Sequence, residues 1–329
     1  MRIARTWNLL VAMLSIARAH PPHFSRMRQF TGSAAGISIT QMGTPHYAWW
    51  GLEHFPVILA AAQSPLREKP CTVVEAGAHM GTLAILAARL GCTVYAFEAD
   101  QIYTDIMRRN VVLNNVSRRV HVIERNLSSQ PSHRVDERVP RLQGPITVLK
   151  MDIDGHDADA MRGCDGLFAA GVDFVNVEMD PSTHLRQSNE SDVTYLLEIL
   201  RRGFEPFVLD CMPYTPSLER QLQAVGRGPT CLDSDVKATS HNIAHWSERP
   251  AQAALLGCLM DGKCTEATEN LIRQQHLSAS ALQSLVQVVA ARGKPWTPGH
   301  AQLDLLFVHP RRLTARMRKL LLAWQSRLA

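Results

Sequence analysis

Between residues 72 and 209 of this 329-residue chain, short apolar runs alternate with segments of helical period, and this alternation restricts the fold more than any other feature. Strands are predicted over 72–75, 93–98, 120–123, 146–151, 173–177 and 206–209, with a late strand over 303–308. Helices are predicted between them. One runs through Leu83, Ile85, Leu86 and Leu90; one is capped by Asp100 and carried by Ile102, Ile106, Met107 and Val111. A short helix over 157–161 and a longer one over 193–202 follow. The strands are continuous apolar runs, as expected where helices cover both faces of a parallel sheet. The expected fold is therefore α/β, a mostly parallel, Rossmann-like sheet with helices on both faces.

The first strand runs into Glu75-Ala76-Gly77-Ala78-His79-Met80-Gly81 before its helix begins. Gly77 permits a tight turn and a close approach of ligand to backbone. Gly81 allows close packing where the helix opens, and the helix N-terminus offers N–H groups to an anionic ligand group. Glu75, at the strand end, suits an ammonium group. The second strand ends in Glu98, seventeen residues after Gly81, where its two oxygens can accept from both hydroxyls of a ribose. The combination suits an adenosyl ligand with an amino-acid tail. A nicotinamide-dependent oxidoreductase is the competing reading, but Glu75 stands at the first glycine of its G-x-G-x-x-G pattern and would repel a pyrophosphate. A βα turn that holds no ligand is the plainer alternative.

Charge narrows the partners. The chain has 35 Lys and Arg against 30 Asp and Glu, but both ends are basic and the body is mildly acidic. Nucleic acid is not an expected partner, because basic groups should then gather at the site. Arg2, Arg5 and the apolar run from Leu9 to Ile16, followed by Ala17-Arg18-Ala19, read as a secretory signal, with an organellar transit peptide as the rival. A secretory or endomembrane lumen is favoured over mitochondrion or plastid. No other stretch approaches the roughly 20 mostly apolar residues of a membrane span. The tail over 311–329 places apolar residues on one helical side with basic residues around them. It is expected to dock on its own domain, with an anionic membrane surface as the alternative.

Seven cysteines at irregular spacing suggest neither a zinc site nor a disulfide framework; free thiols are expected, with Cys258–Cys264 the one pair considered for a bridge. His241 and His245 have helical metal-ligand spacing but no third ligand, so no metal site is expected. The chain divides into a leader (1–30), an N-terminal extension (31–69) whose Gly/Ser/Thr/Pro-containing first part, over about 31–52, ends in Tyr47, Trp49 and Trp50, a core (70–210), a helical cap or insert (211–301), a final core strand (302–310) and the tail.

On these motifs the chain resembles the FkbM-type methyltransferase family. Residues 75–81 resemble its first motif and Tyr95-Ala96-Phe97-Glu98-Ala99-Asp100 its second. Asn110, with Asn114 and Asn115, resembles its Asn-containing helix end. Lys150-Met151-Asp152-Ile153-Asp154-Gly155 resembles its K-x-D-x-E-G segment, and Asp157, Met161, Gly163, Glu178 and Arg202-Gly203-Phe204 continue the match. His79 replaces the usual Asn, and Asp154 and Asp157 replace Glu. The resemblance covers about 70–210 and the last strand. It implies a class I methyltransferase fold and S-adenosylmethionine (AdoMet) as cofactor. It also implies O-methylation of a hydroxyl on a sugar or other small metabolite, with no required metal. It places Glu75, Gly77 and Gly81 at the methionine portion, Glu98 at the ribose and Asn126 near the adenine, with Ala78, His79 and Ala99 also in the cofactor site. A non-catalytic binding protein of the same fold is the alternative.

A hydroxyl acceptor must lose its proton as the methyl group arrives. Strand C-termini face the ligand in such sheets, so Asp152 and Asp154, past the fourth strand, are expected in the active site. His156 is a candidate base, with a solvent-facing loop histidine as the alternative. Lys150 is expected to pair with an acid, in a catalytic or purely structural bridge. Glu178, ending the fifth strand, is a candidate for orienting substrate, or else a strand-end carboxylate bonded to backbone.

Overall fold

The computed structural model describes residues 28–34, 37–43, 57–58, 61–62, 71–139, 146–179, 192–211, 265–266, 269 and 303–312. Two sheets are present among them. The strands β1 (Arg28–Ala34) and β2 (Ile37–Gly43) form an antiparallel hairpin, with Thr31 opposite Thr40. The central sheet holds β3 (Thr72–Ala76), β4 (Thr93–Glu98), β5 (Val120–Glu124), β6 (Ile146–Met151), β7 (Val172–Met179), β8 (Glu205–Cys211) and β9 (Leu303–Val308). Their order is β5-β4-β3-β6-β7-β9-β8. The first five pair in parallel, and β9 runs antiparallel between β7 and β8. The order reverses between β3 and β6, the switch point where open α/β sheets hold ligands.

Alternation along each strand divides the core in two. Val73, Val148, Phe174 and Leu306 face one layer, with Leu83, Ile85 and Leu86 of helix α1 (Thr82–Arg89) and Met107 and Val111 of helix α2 (Gln101–Leu113). Val74, Leu149, Val175 and Leu305 face the other, with Met161 of α4 (Asp157–Arg162) and Tyr195, Leu196 and Ile199 of α6 (Asp192–Arg201). Two further short helices, α3 (Val135–Arg138) and α5 (Asp165–Ala170), were not expected. Every residue of β6 is buried, Thr147 and Lys150 included, as expected of a strand covered on both faces. Asp100 caps α2, its Oδ1 accepting from the Ile102 N–H at 2.7 Å.

One element was not expected and one expectation is corrected. The β1–β2 hairpin, over 28–43, was not foreseen. Its strands carry Gly32, Ser33 and Gly43, so they lack the apolar run that marks a buried strand. Cysteine spacing also missed a bridge: Cys71 and Cys92 form a disulfide, with Cα atoms 4.4 Å apart. The two residues precede neighbouring parallel strands in register, Thr72 beside Thr93. A 21-residue sequence separation conceals that adjacency until β3 and β4 pair. Cys258, Cys264, His241, His245, Tyr47, Trp49, Trp50, most of the insert and all of the tail past Arg312 lie outside the described residues. Among the described residues, no helix is long and apolar enough to cross a membrane.

Candidate active site

The turn between β3 and α1 is held from several sides. The N–H groups of Gly77 and Ala78 both donate to the Phe97 carbonyl, at 3.1 and 2.9 Å. The His79 N–H donates to Glu98 Oε2 at 2.7 Å. Gly77 and Gly81 have φ of 76° and 81°, and His79, without a glycine's freedom, has φ of 51°. A left-handed residue other than glycine costs about 1–2 kcal/mol, which the bonds around it must offset. A β-carbon on Gly81 would meet Met107 Cγ of α2 at 2.5 Å, so the second glycine serves helix packing, as its place in the sequence suggests.

Glu98 already accepts three N–H bonds: His79 on Oε2, and Ala99 and Asp100 on Oε1 at 2.8 and 2.9 Å. A carboxylate has about four acceptor positions. That leaves room for about one ribose hydroxyl, where the sequence suggested two. Burial nevertheless pushes the Glu98 carboxyl above its ordinary pKa, against the pull of those N–H bonds. Glu75 is 2% exposed and stands beside Lys150 in the β3–β6 register.

Lys150 joins the two halves of the site. Its ammonium is 1% exposed and donates to the carbonyls of Gly77 (2.9 Å) and Ala76 (3.3 Å). It also pairs with Asp152 Oδ2 at 3.1 Å. An ammonium has three N–H donors, and these oxygens are enough to occupy them. The lysine thus acts on the β3–α1 turn and on Asp152, which identifies the acid that sequence reasoning left unnamed.

Past β6 the chain makes a tight turn in which Asp154 has φ of 53° and Gly155 of 91°. Asp157, 1% exposed, holds this turn: its Oδ1 accepts from Ile153 N–H and its Oδ2 from Gly155 N–H, at 3.0 and 3.1 Å. Asp154 is exposed by surface area, yet its carboxyl is crowded by protein atoms. Lost hydration, and then the charges of Asp152 and Asp157, push it up to about 6. Burial first, and then the Lys150 charge, push His79 down to about 4. Its ring lies 4.0 Å from that of Tyr103 on α2.

The structure thus gathers Glu75, Gly77, Ala78, His79, Gly81, Glu98, Ala99, Lys150, Asp152 and Asp154 around the switch point. Glu178 follows Val177, the register partner of Met151, which puts it level with Asp152 on the next strand. His156 is exposed at the start of α4, and its side chain caps nothing there. Asn126, exposed, lies two residues beyond β5, whose end is tied to β4 by the Arg125 N–H on the Glu98 carbonyl. Sequence reasoning missed Asp157 as the anchor of the Asp154 turn, and Tyr103. It noted Asn110 only as part of a motif; that side chain donates to the Met80 carbonyl within the β3–α1 turn, at 3.0 Å. Among the described residues, no group of three or more His, Cys, Asp or Glu is arranged to hold a metal ion.

The strand order, with one antiparallel strand inserted beside the last parallel one, is that of the Rossmann-like class I methyltransferase fold. A dinucleotide-binding sheet of strand order 3-2-1-4-5-6 has no such strand. No family model matches the chain. Over 82 residues it is 30% identical to a ribosomal protein L11 methyltransferase of Streptococcus pyogenes serotype M3, a match covering 25% of this chain and 26% of that one. The match thus spans about a quarter of the relative's length. Among solved structures it is similar to a SAM-dependent methyltransferase from Agrobacterium tumefaciens, at 12% identity and TM-score 0.36, covering 46% of this chain and 52% of that one. It is also similar to an O-methyltransferase from Bacillus cereus in complex with SAH, at 16% identity and TM-score 0.32, covering 59% and 74%.

Proposed function

We propose that this chain is an AdoMet-dependent methyltransferase of the FkbM type that methylates a hydroxyl oxygen on a sugar or other small metabolite. The observation that carries the reading is the placement of Glu98 and Asp152 on either side of the Gly77 turn, at the reversal of strand order. The residues present fit the cofactor: Glu75 is a buried acid for its ammonium, Glu98 retains acceptor capacity for a ribose hydroxyl, and α1 opens directly from the turn. Ala78, His79 and Ala99 supply the backbone around it, and Asn126 the adenine side. When bound, the sulfonium supplies a methyl group already activated for displacement.

The protein's own part is alignment and proton handling. Alignment of reactants can contribute on the order of 7–11 kcal/mol. Asp152, held by Lys150, orients the acceptor hydroxyl. Asp154 takes its proton, a task its raised pKa suits better than an ordinary aspartate's. Glu178 holds a second hydroxyl from the neighbouring strand. His156, whose side chain makes no cap bond at the start of α4, is the weaker candidate for the base.

Calorimetric titration of AdoMet into the chain without its first 27 residues, beside the same chain with Glu98→Ala, tests this. Binding should be weakened by Glu98→Ala by roughly 100-fold, or about 2–3 kcal/mol, because the ribose contact and the His79 anchor go together. A well-folded protein with no affinity for AdoMet would sink the reading.

A further inference from the structure

The N-terminal hairpin is bound to the core in a particular way. Asn110 of α2 and Asn114 at its C-cap, one turn apart, each grip one residue of β2 through both backbone groups. Asn110 Oδ1 accepts from the Met42 N–H at 2.6 Å, and its Nδ2 donates to the Met42 carbonyl at 3.2 Å. Asn114 Oδ1 accepts from the Thr40 N–H at 2.9 Å, and its Nδ2 donates to the Thr40 carbonyl at 2.5 Å. A step of four along a helix rises about 6 Å. A step of two along a strand covers about 6.6 Å. The helix therefore meets the strand as a neighbouring strand would.

The two asparagines differ in their remaining proton. Asn114 spends it on the Asn110 carbonyl within α2, at 2.7 Å. Asn110 spends it on the Met80 carbonyl, between the left-handed residues His79 and Gly81 of the cofactor turn. Asn110 is fully buried. Beside it, Gln41 of β2 donates to Thr82 Oγ1, at the first residue of α1, at 2.7 Å.

We propose that Asn110 is a positioning residue for the cofactor turn, which makes the β1–β2 hairpin a working part of the cofactor site. The inference rests on the methyltransferase reading above. Its amide joins the Met42 backbone to the Met80 carbonyl, so the hairpin presses the turn into the shape that the cofactor meets. Lys150 restrains the same turn through the Ala76 and Gly77 carbonyls.

The test compares Asn110→Ala, Asn110→Asp and Asn114→Ala in the full chain, with S-adenosylhomocysteine as the calorimetric probe and thermal unfolding alongside. Both alanine variants lose a grip on the hairpin and should lower the unfolding temperature alike. Only the Asn110 changes should weaken the probe, by roughly tenfold or more, while Asn114→Ala stays within about threefold of wild type. Ionised at pH 8, Asn110→Asp keeps an acceptor for the Met42 N–H but donates to neither the Met42 nor the Met80 carbonyl, so it decides the matter if Asn110→Ala fails to fold. Equal weakening by the Asn110 and Asn114 variants, or wild-type affinity in a folded Asn110 variant, would overturn the proposal alone. Wild-type protein that ignores the probe would remove the methyltransferase reading with it.

Discussion

The carbonyl oxygen of Asp152 occupies the space where any residue but glycine would place its β-carbon at position 77. The β3–α1 turn and the loop bearing the proposed acids are thus packed backbone to backbone, so neither moves without the other. Gly77→Ala should remove affinity for S-adenosylhomocysteine and cost roughly 2–4 kcal/mol of stability, from overlap and from a positive φ that alanine disfavours. Calorimetry and urea unfolding measure both. A stable variant with intact affinity would show that the two loops separate freely.

Lys150→Met should be costly out of proportion to its size. It leaves Asp152 beside Asp154 with no counter-charge and releases two carbonyls of the turn. Breaking a buried pair from one side costs about 3–5 kcal/mol, and the partial exposure of Asp152 places this case at the lower end. Lys150→Arg should not restore the wild-type value, since a planar guanidinium cannot point at three such oxygens as an ammonium does. Chemical denaturation of the two variants at pH 7 checks this; full rescue by arginine would contradict it.

Asp154 and His79 give the stability curve opposing slopes in acid. Asp154 rises from 3.8 to about 6 on folding, so between these values the folded state holds the extra proton. Its ionisation therefore destabilises the fold as pH rises through that window, and Asp154→Asn should stabilise at pH 8 but not at pH 4. His79 falls from 6.5 to about 4, so its stabilising contribution is present above 6.5 and is lost as pH falls towards 4. His79→Asn should therefore remove that loss and leave the opposing Asp154 slope uncompensated. Denaturation from pH 4 to 8 shows both, and carbon-detected NMR of the His79 ring should give a midpoint near the lower value. If Asp154 takes the acceptor's proton, kcat/KM should rise along a limb centred near pH 6, and Asp154→Asn should remove that limb.

Asp157→Ala should act on turnover through the Asp154 turn. Losing its two N–H bonds costs about 1–2 kcal/mol, as for a lost helix cap, and frees the turn to relax from its left-handed shape. The expected signature is a fall in kcat with affinity for S-adenosylhomocysteine kept. Equal loss of both would mean that Asp157 supports the whole sheet edge instead.

The central strands were legible because burial on both faces writes itself as a run of apolar residues: 93–98, 146–151 and 303–308 begin and end where the sequence places them. The turn at Gly77 and Gly81, the place of Glu98 at a strand end and the cap at Asp100 were legible for a related reason, since each is local to one turn or one strand end. The β1–β2 hairpin was not, because its hold on the core comes from Asn110 and Asn114, residues 68 to 74 positions away.

What the sequence alone determined, then, was whatever depends on neighbours along the chain: strand and helix order, the glycine turn, and the acid at each strand tip. Only the tertiary structure decided which acid Lys150 holds, that Cys71 meets Cys92, and that Met80 is tied through Asn110 to the hairpin. Each of these depends on strand register or on the docking of one element against another. An amide or an ammonium carries no mark in the sequence of which distant carbonyl it will reach.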